Sequence, residues 1–268
     1  MRIYAILIYV FLYGPIALIV GFSFNAGRYA MDWQGFSLEW YGKAFSNPLI
    51  TEALVTSLTI AGTTAFLSAI IGTLTALGLE RVSGWLRHLF DGLLYVAIMV
   101  PGIVIGISTL IAFVTLFNIV NPYLLAAWDF KIEMGVWTVI AAHVLFNIAV
   151  VCLLVRARLT GMDRSLVEAS EDLYATPMGT FRQVVLPLLM PSILAGFLLA
   201  FTFSFEDFII TFFVAGPNVT LPIYVFSSIR RGITPEINAV GTVVLLTSLV
   251  LLVLAQIILQ RGSRTLKT

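Results

Sequence analysis

Charged residues are scarce in this sequence. Only 11% of its 268 residues are Asp, Glu, Lys or Arg, 60% are hydrophobic, and the mean hydropathy is +1.02. A soluble domain contains about 25% charged residues, and it could not bury this much apolar surface in one core. The composition therefore excludes an ordinary soluble protein and predicts a membrane protein in contact with the lipid bilayer. The net charge of +1 decides nothing further, and we expect no nucleic-acid partner.

Residues that bind metals or carry catalysis are also few. The single cysteine, Cys152, lies in an apolar run, so we interpret it as a packed side chain. His88 and His143 are far apart and no H-E-x-x-H motif occurs. The only Gly-Lys pair, Gly42-Lys43, lacks the earlier glycine of a phosphate-binding loop. We therefore expect no catalytic residue, no metal and no cofactor in this chain, and no enzymatic activity of its own.

Long apolar runs are abundant instead. The hydrocarbon core of a bilayer is about 30 Å thick and takes about 20 apolar residues of helix to cross. The first run is longer than the core of a signal peptide, which has about 7 to 15 residues, so we expect it to be retained. The sequence predicts an all-α membrane protein with six transmembrane helices in a single domain, residues 1–268. The six runs are Ile3–Phe24, Ala53–Leu79, Leu89–Phe117, Val136–Leu154, Leu188–Val214 and Ile237–Leu259.

The positions of Lys and Arg predict the orientation. Loops on the cytoplasmic side carry an excess of these residues. With the amino terminus in the cytoplasm, ten of the 15 lie inside and five outside. We therefore expect both termini in the cytoplasm.

Four polar residues within the apolar runs are candidates for a transport pathway. Glu206 and Asp207 lie in the fifth run, where an ionised carboxylate costs about 2.5 to 3.5 kcal/mol. Adjacent helical residues point about 100° apart, so we expect at most one to face a pathway and the other to pair with a neighbouring helix. His143 and Asn147, four residues apart, share a face of the fourth run. A cationic amine would suit the carboxylates; the alternative for all four is a structural polar contact.

Two smaller features concern the third run. Pro101, Gly102 and Gly106 interrupt it, which indicates a kink or a bend that lines a pathway. Asp91 follows Arg87 by four residues, so we expect a local ion pair near the end of this helix.

The most charged part of the chain lies between the fourth and fifth runs. Leu166–Ala175 is predicted to form a short amphipathic helix. Thr176-Pro177 then turns the chain, because the residue before a proline avoids the helical region. The segment ends in Leu186-Pro187, just before the fifth run.

This segment resembles the conserved cytoplasmic loop of the permease subunits of type I ATP-binding-cassette importers. The family pattern is Glu-Ala-Ala, three residues, Gly, nine residues, Ile, one residue and Leu-Pro, and the spacing here agrees throughout. Ser170 stands at the second alanine, and Tyr174 places a large side chain at the glycine. The residues at the positions of the family pattern are Glu168, Ala169, Ser170, Tyr174, Val184, Leu186 and Pro187.

The resemblance implies a fold, a role and partners. The fold is that of a type I importer permease, in which residues 157–187 form a coupling loop that seats on an ATPase subunit. Acidic groups on its helix would suit a basic groove. The implied partners are a second permease subunit in a heterodimer, two ATP-binding subunits that use ATP and Mg, and a periplasmic or lipid-anchored solute-binding protein. The implied location is the bacterial cytoplasmic (inner) membrane. The implied coupling residues are Glu168, Ala169, Ser170, Asp172, Tyr174 and Pro187.

Three further segments resemble the spermidine/putrescine permeases. They are Trp33-Gln34-Gly35-Phe36, Phe205-Glu206-Asp207, and the stretch 216–239 with its Gly-Pro, Leu-Pro-Ile-Tyr and Pro-Glu-Ile-Asn-Ala sequences. This resemblance implies the import of polyamines. A related importer for another small solute is an alternative. A stand-alone secondary transporter is another, although such proteins commonly contain an internal repeat and neither half of this chain shows an evident duplicate.

Overall fold

The structure is a computed structural model that describes residues 2–27, 32–163, 165–232 and 235–264. Within these ranges the chain forms twelve α-helices and one π-helical segment, Phe181–Val185. The α-helices are α1 Arg2–Phe22, α2 Glu39–Ser46, α3 Pro48–Arg81, α4 Gly84–Met99, α5 Gly102–Trp128, α6 Val136–Thr160, α7 Ser165–Asp172, α8 Pro177–Thr180, α9 Leu186–Glu206, α10 Ile209–Val214, α11 Leu221–Arg231 and α12 Pro235–Arg264.

Six helical segments among the described residues are long and apolar enough to cross a membrane. This confirms the predicted all-α architecture with six spans. The segments are Tyr4–Phe22, Pro48–Arg81, Gly102–Trp128, Val136–Thr160, Pro177–Glu206 and Pro235–Gln260.

The described residues fall into two compact units. The terminal unit combines Met1–Ser57 with Val219–Val250, and the central unit combines Leu58–Asn218 with Leu251–Thr268.

In the terminal unit, polar groups tie the helix ends together. The Asn47 side-chain amide, just before α3, donates to the Glu236 carboxylate at 3.0 Å and to the Tyr224 hydroxyl at 3.5 Å. The Ser57 hydroxyl in α3 accepts a hydrogen bond from the first backbone N–H of α11, at Leu221, at 2.8 Å. Helix ends in apolar surroundings need such partners because their backbone groups have none inside the helix.

Helix α6 forms the centre of the central unit. Its apolar residues are spread around the whole circumference, as expected for a helix buried on every side. Val139, Val151, Cys152 and Val155 are fully buried along its length. Small residues let other helices approach closely: a Cβ added at Gly72 of α3 would lie 2.8 Å from Cβ of Val151.

Helices α4 and α5 together run antiparallel to α6. Asp91 of α4 pairs with Arg156 near the end of α6, whereas Phe117 of α5 packs on Trp137 at its start, with ring centroids 5.6 Å apart. The predicted third span, Leu89–Phe117, is therefore one traverse divided between two helices, and the helix that includes its second half continues to Trp128.

The break between α4 and α5 has a local cause. Val100 is extended, and Pro101 immediately precedes α5, which begins at Gly102. Proline has no N–H to donate and disfavours helical conformation in the residue before it.

Helices α9 and α10 also run antiparallel to α6. The Arg158 guanidinium near the end of α6 donates to the carbonyl of Leu188 at 3.0 Å, and the Thr138 hydroxyl near its start donates to the carbonyl of Val214 at 2.6 Å. The predicted fifth span, Leu188–Val214, is thus also divided, with an extended residue, Asp207, at the break.

The prediction that Asp91 pairs with Arg87 is wrong. Asp91 lies on the face of α4 that packs against α6, and its carboxylate accepts a hydrogen bond from Arg156. An exposed pair four residues apart on one helix contributes only about 0.3 to 0.5 kcal/mol. Both partners of the observed pair are mostly buried, so the charge is neutralised where water is scarce.

Candidate functional site

The predicted coupling residues lie on an open surface. Helix α7 begins one residue earlier than predicted, at Ser165, and ends three residues earlier, at Asp172, and none of its side chains is buried. Glu168, Ala169 and Asp172 are all exposed. The carboxylate of Asp163 accepts a hydrogen bond from the backbone N–H of Ser165 at 2.9 Å. This bond caps the start of α7 and lowers the pKa of Asp163.

Tyr174 forms the cap that ends α7. The N–H of Ala175 donates to the carbonyl of Ser170 at 3.1 Å, and the N–H of Tyr174 donates to the carbonyl of Glu171 at 2.9 Å. These two bonds define a Schellman motif, whose residue after the cap is left-handed and usually glycine. Tyr174 has a φ of 59°. The glycine of the family pattern thus corresponds to the left-handed position of this cap.

The tyrosine keeps the backbone conformation at a cost. A left-handed conformation costs a residue with a Cβ about 1 to 2 kcal/mol. The Tyr174 side chain is 96% exposed, and the nearby apolar side chains Leu173 and Met178 are 81% and 71% exposed. Within this chain, therefore, little packing offsets the strain.

Ser170, at the second alanine of the family pattern, contributes a contact that alanine cannot make. Its hydroxyl is 3.0 Å from the hydroxyl of Thr180. The Thr176 side chain caps α8 by accepting from the N–H of Gly179 at 3.2 Å. Together these hydroxyls hold α7 against α8.

Pro187 follows the π-helical segment. The N–H of Leu186 donates to the carbonyl of Phe181, five residues earlier. In an α-helix the proline ring would clash with the carbonyl four residues earlier, that of Gln183. The wider turn is one way in which a helix accommodates this crowding, and it lies where the loop enters the membrane span.

The predicted membrane residues lie around the break between α9 and α10. His143 of α6 is fully buried; its Nδ1 is 2.7 Å from the Ser204 hydroxyl and its Nε2 is 3.1 Å from Oδ2 of Asp207. An Nε2–H donating to the carboxylate and an Nδ1 accepting from serine satisfy both ring nitrogens. The structure thus brings His143 and Asp207 together.

Asp207 also caps the short helix that follows it. Its Oδ2 accepts from the backbone N–H of Thr211 at 2.9 Å and lies 3.1 Å from the Thr211 hydroxyl. Backbone groups at a helix break inside a membrane must find partners. The carboxylate supplies one of them.

Glu206 points elsewhere. Its side chain is exposed, whereas only 15% of the Asp207 side chain is exposed. Among the described residues, no ion pair or hydrogen bond holds the Glu206 carboxylate. The two neighbouring carboxylates therefore differ in role: one is tied to α6, and the other lies on the surface of this chain.

Asn147 lies one turn further along α6. Its side-chain NH₂ donates to the carbonyl of His143 at 3.0 Å. Its Oδ1 is buried and has no hydrogen-bond partner within the described ranges, and the same holds for the hydroxyl of Ser68 in α3. Gly72 of α3 packs on Val151 of α6. Ser68 lies one turn before Gly72, and Asn147 lies one turn before Val151, so Ser68 and Asn147 lie at a similar level along their helices.

Sequence reasoning missed two members of the His143–Asp207 network. Ser204 and Thr211 lie three residues before and four residues after Asp207, the spacings that bring side chains onto one helix face. That spacing was a usable signal, but the extended residue at the break was not visible in the composition.

A cavity of about 370 Å³ lies at both helix breaks. Val100 and Gly102 line it from the first break, and Asp207 and Ile210 from the second. The helices approach closely here: a Cβ added at Gly106 would lie 3.3 Å from Cα of Ile210.

Comparison with known proteins identifies the family. The family model described as "Binding-protein-dependent transport system inner membrane component" matches residues 68–267. The chain is 37% identical to the spermidine/putrescine transport system permease protein PotC of Haemophilus influenzae, over 96% of this chain and 95% of that protein. It is 38% identical to the putrescine transport system permease protein PotI of Escherichia coli K12, over 88% of this chain and 82% of that protein.

Solved structures share the fold. A bacterial ABC transporter involved in the import of the acidic polysaccharide alginate aligns with a TM-score of 0.71 at 16% identity, covering 98% of this chain and 94% of that chain. An amino acid ABC transporter aligns with a TM-score of 0.58 at 15% identity, covering 84% of this chain and all of that chain. With the family match and the six apolar spans, these alignments lead to one conclusion: the chain belongs to the inner-membrane components of binding-protein-dependent transport systems.

Proposed function

We propose that this chain is a membrane-spanning subunit of an ATP-driven importer of polyamines. Its relatives at 37% and 38% identity are named as spermidine/putrescine and putrescine permeases and align over most of the chain. Polyamines are flexible cations at neutral pH, and carboxylates in an otherwise apolar membrane domain would attract them.

The observation that carries the proposal is the exposed Glu206 at a membrane-span break. An ionised carboxylate facing lipid would cost about 2.5 to 3.5 kcal/mol. A carboxylate that faces a water-filled pathway avoids this cost and attracts an ammonium group. Glu206 is therefore the residue that contacts the cation as it passes.

Asp207, His143 and Asn147 complete the pathway site as positioning residues. The Asp207 carboxylate holds α10 through Thr211 and holds α6 through His143. Asn147 bonds the carbonyl of His143 and so fixes the next turn of the same helix. The cation meets Glu206 where these contacts hold the helix break in place.

The loop 157–187 couples transport to ATP hydrolysis in a partner. Its exposed acidic residues suit a basic groove on an ATP-binding subunit. Two such subunits bind ATP and Mg. The coupling contact comprises Glu168, Ala169, Ser170, Asp172, Tyr174 and Pro187.

The proposal also covers the rest of the assembly, which is supported by the distribution of Lys and Arg and by the resemblance to importer permeases. Both termini lie in the cytoplasm of a bacterium, the whole chain forms one permease domain, and a second, similar permease subunit lines the other side of the pathway. A solute-binding protein, periplasmic or lipid-anchored, delivers the polyamine from outside.

The test is uptake of labelled spermidine and putrescine by the reconstituted transporter, with the binding protein outside the vesicles and ATP inside. The same vesicles with a non-hydrolysable ATP analogue are the control. ATP-dependent uptake of either polyamine supports the proposal.

Two other outcomes are informative. ATP hydrolysis stimulated by the binding protein without polyamine uptake would keep the importer and remove the polyamine. Uptake driven by a proton or sodium gradient without ATP would replace the importer with a secondary transporter.

A further inference from the structure

We infer that Tyr174 is an aromatic anchor that inserts into an apolar socket in the basic groove of the ATP-binding subunit. This inference rests on the proposed function, because it specifies how the coupling loop recognises its partner. It concerns a position at which this chain departs from the family pattern.

The first observation is the strained backbone. Tyr174 adopts a left-handed conformation at the end of α7, which glycine would adopt without steric cost. Strained residues persist when something else offsets the cost, and they cluster at functional sites. The side chain is almost entirely exposed, so nothing within the described chain provides the compensation.

The second observation is that two apolar residues near Tyr174 in the sequence are also exposed. Leu173 precedes it and Met178 lies just beyond the turn, and both are largely exposed. Thr176 and Ser170 fix the turn by hydrogen bonds, so the three apolar side chains are presented by a capped and ordered segment. Tyrosine is enriched among the residues that dominate binding energy at protein interfaces.

Charge distinguishes the two surfaces that could cover this patch. Asp163, Glu168, Glu171 and Asp172 are exposed on α7 or just before it, so the helix that ends at this patch is acidic. The cytoplasmic leaflet of a membrane is negatively charged and would repel such a helix. A protein groove with basic walls and an apolar floor attracts the helix and buries the ring.

The experiment uses the full transporter in nanodiscs, from which the ATP-binding subunit is stripped and then titrated back. Three variants separate the ring from the backbone. Tyr174→Phe keeps the ring, whereas Tyr174→Gly and Tyr174→Asn remove it but suit the left-handed position.

We expect Tyr174→Gly and Tyr174→Asn to weaken rebinding of the ATP-binding subunit by about tenfold or more, as truncation of an interface anchor does. Tyr174→Phe should bind within about twofold of the wild type, because the buried ring is retained. The thermal midpoint of the stripped permease should rise in Tyr174→Gly, since the strain is relieved.

Affinity unchanged in both ring-less variants would overturn the inference. It would also be overturned if the loss of affinity followed the anionic lipid content of the nanodisc, because the ring would then rest on the membrane. Failure of the proposed function has a different signature: the wild-type permease would bind no ATP-binding subunit at all.

Discussion

The coupling loop and the helix break at Asp207 belong to the same compact unit, yet they treat their polar groups in opposite ways. At the break, Asp207, His143, Ser204 and Thr211 satisfy one another inside the protein. In the loop, the carboxylates of α7 and the side chains of Leu173 and Tyr174 just after it are exposed. Polar groups that bond to one another stabilise the local fold, whereas exposed groups are available to bind a partner. Substitutions should therefore reveal folding defects at the break and assembly defects in the loop.

The largest effect is expected for Glu168→Arg. Reversing an exposed charge on α7 should repel a basic groove, so polyamine uptake should fall by at least about tenfold while the permease stays folded. Uptake and ATP hydrolysis measured on the same vesicles would show hydrolysis continuing without transport. Glu171→Arg makes the same charge change outside the family triplet and should cost much less. Equal losses in the two variants would mean that net charge, not position, matters.

Glu206→Gln should have the second largest effect on polyamine transport. Loss of the carboxylate should raise the half-saturating polyamine concentration by about tenfold, the factor that corresponds to the lower end of the roughly 1.5 to 3 kcal/mol that a hydrogen bond to a charged group contributes. The thermal midpoint should not change, because Glu206 makes no contact that holds the described fold. A lower midpoint with normal uptake would assign Glu206 a structural role.

Asp207→Asn should lower both polyamine uptake and the stability of the permease. One carboxylate oxygen, Oδ2, meets both Thr211 and His143. An amide therefore either keeps these contacts as weaker neutral hydrogen bonds or turns its NH₂ toward both donors, so we expect several-fold weaker uptake and a loss of about 1 to 3 kcal/mol in stability. Assembly with the other subunits should remain intact. Thermal midpoints measured for Asp207→Asn and Glu206→Gln would show which carboxylate stabilises the fold. Identical midpoints and identical uptake would mean that both carboxylates face the pathway.

Gly106→Ala tests how tightly the break is packed. The new Cβ would lie 2.7 Å from the ring of Phe213 and 3.3 Å from Cα of Ile210. Overpacking of this kind costs about 1 to 3 kcal/mol. Gly161→Ala, near the coupling loop, meets nothing closer than 3.7 Å and is the matched control. Comparable midpoints for both would show that α5 and α10 can separate at little cost.

Ser170→Ala should have the smallest effect. It restores the alanine of the family pattern and removes the contact with Thr180, at a cost of about 0.5 to 1.5 kcal/mol. Uptake should stay within about twofold of the wild type, because the exposed surface of α7 is unchanged. A large loss of uptake with an unchanged midpoint would mean that the Ser170 hydroxyl itself bonds to the partner subunit.

The sequence predicted the number of spans because a bilayer imposes a length that apolar runs reveal. It did not predict the break in the fifth span, since both halves of that traverse are equally apolar. Pro101 marked the first break as a kink, but the extended Asp207 had no comparable signal. Asp91 was paired with the nearest cation in sequence, whereas packing on α6 selected Arg156.

The candidate site was predictable to different degrees. The family spacing identified the residues of the coupling loop. The reason why the family pattern has glycine where this chain has Tyr174 emerged only from the cap geometry. The intramembrane carboxylates were recognised by their cost in lipid. Which of the two turns inward depends on the angle at which α9 ends, and no pattern of residue types records that angle.

Cys152 has a practical consequence for experiments on both regions. It is the only cysteine in the chain, and its side chain is fully buried in α6. Water-soluble maleimide and nitroxide reagents react with accessible thiolates, so the native protein should give almost no background labelling. A cysteine introduced in the loop or at the helix break could then carry a spectroscopic probe without any prior change to the core.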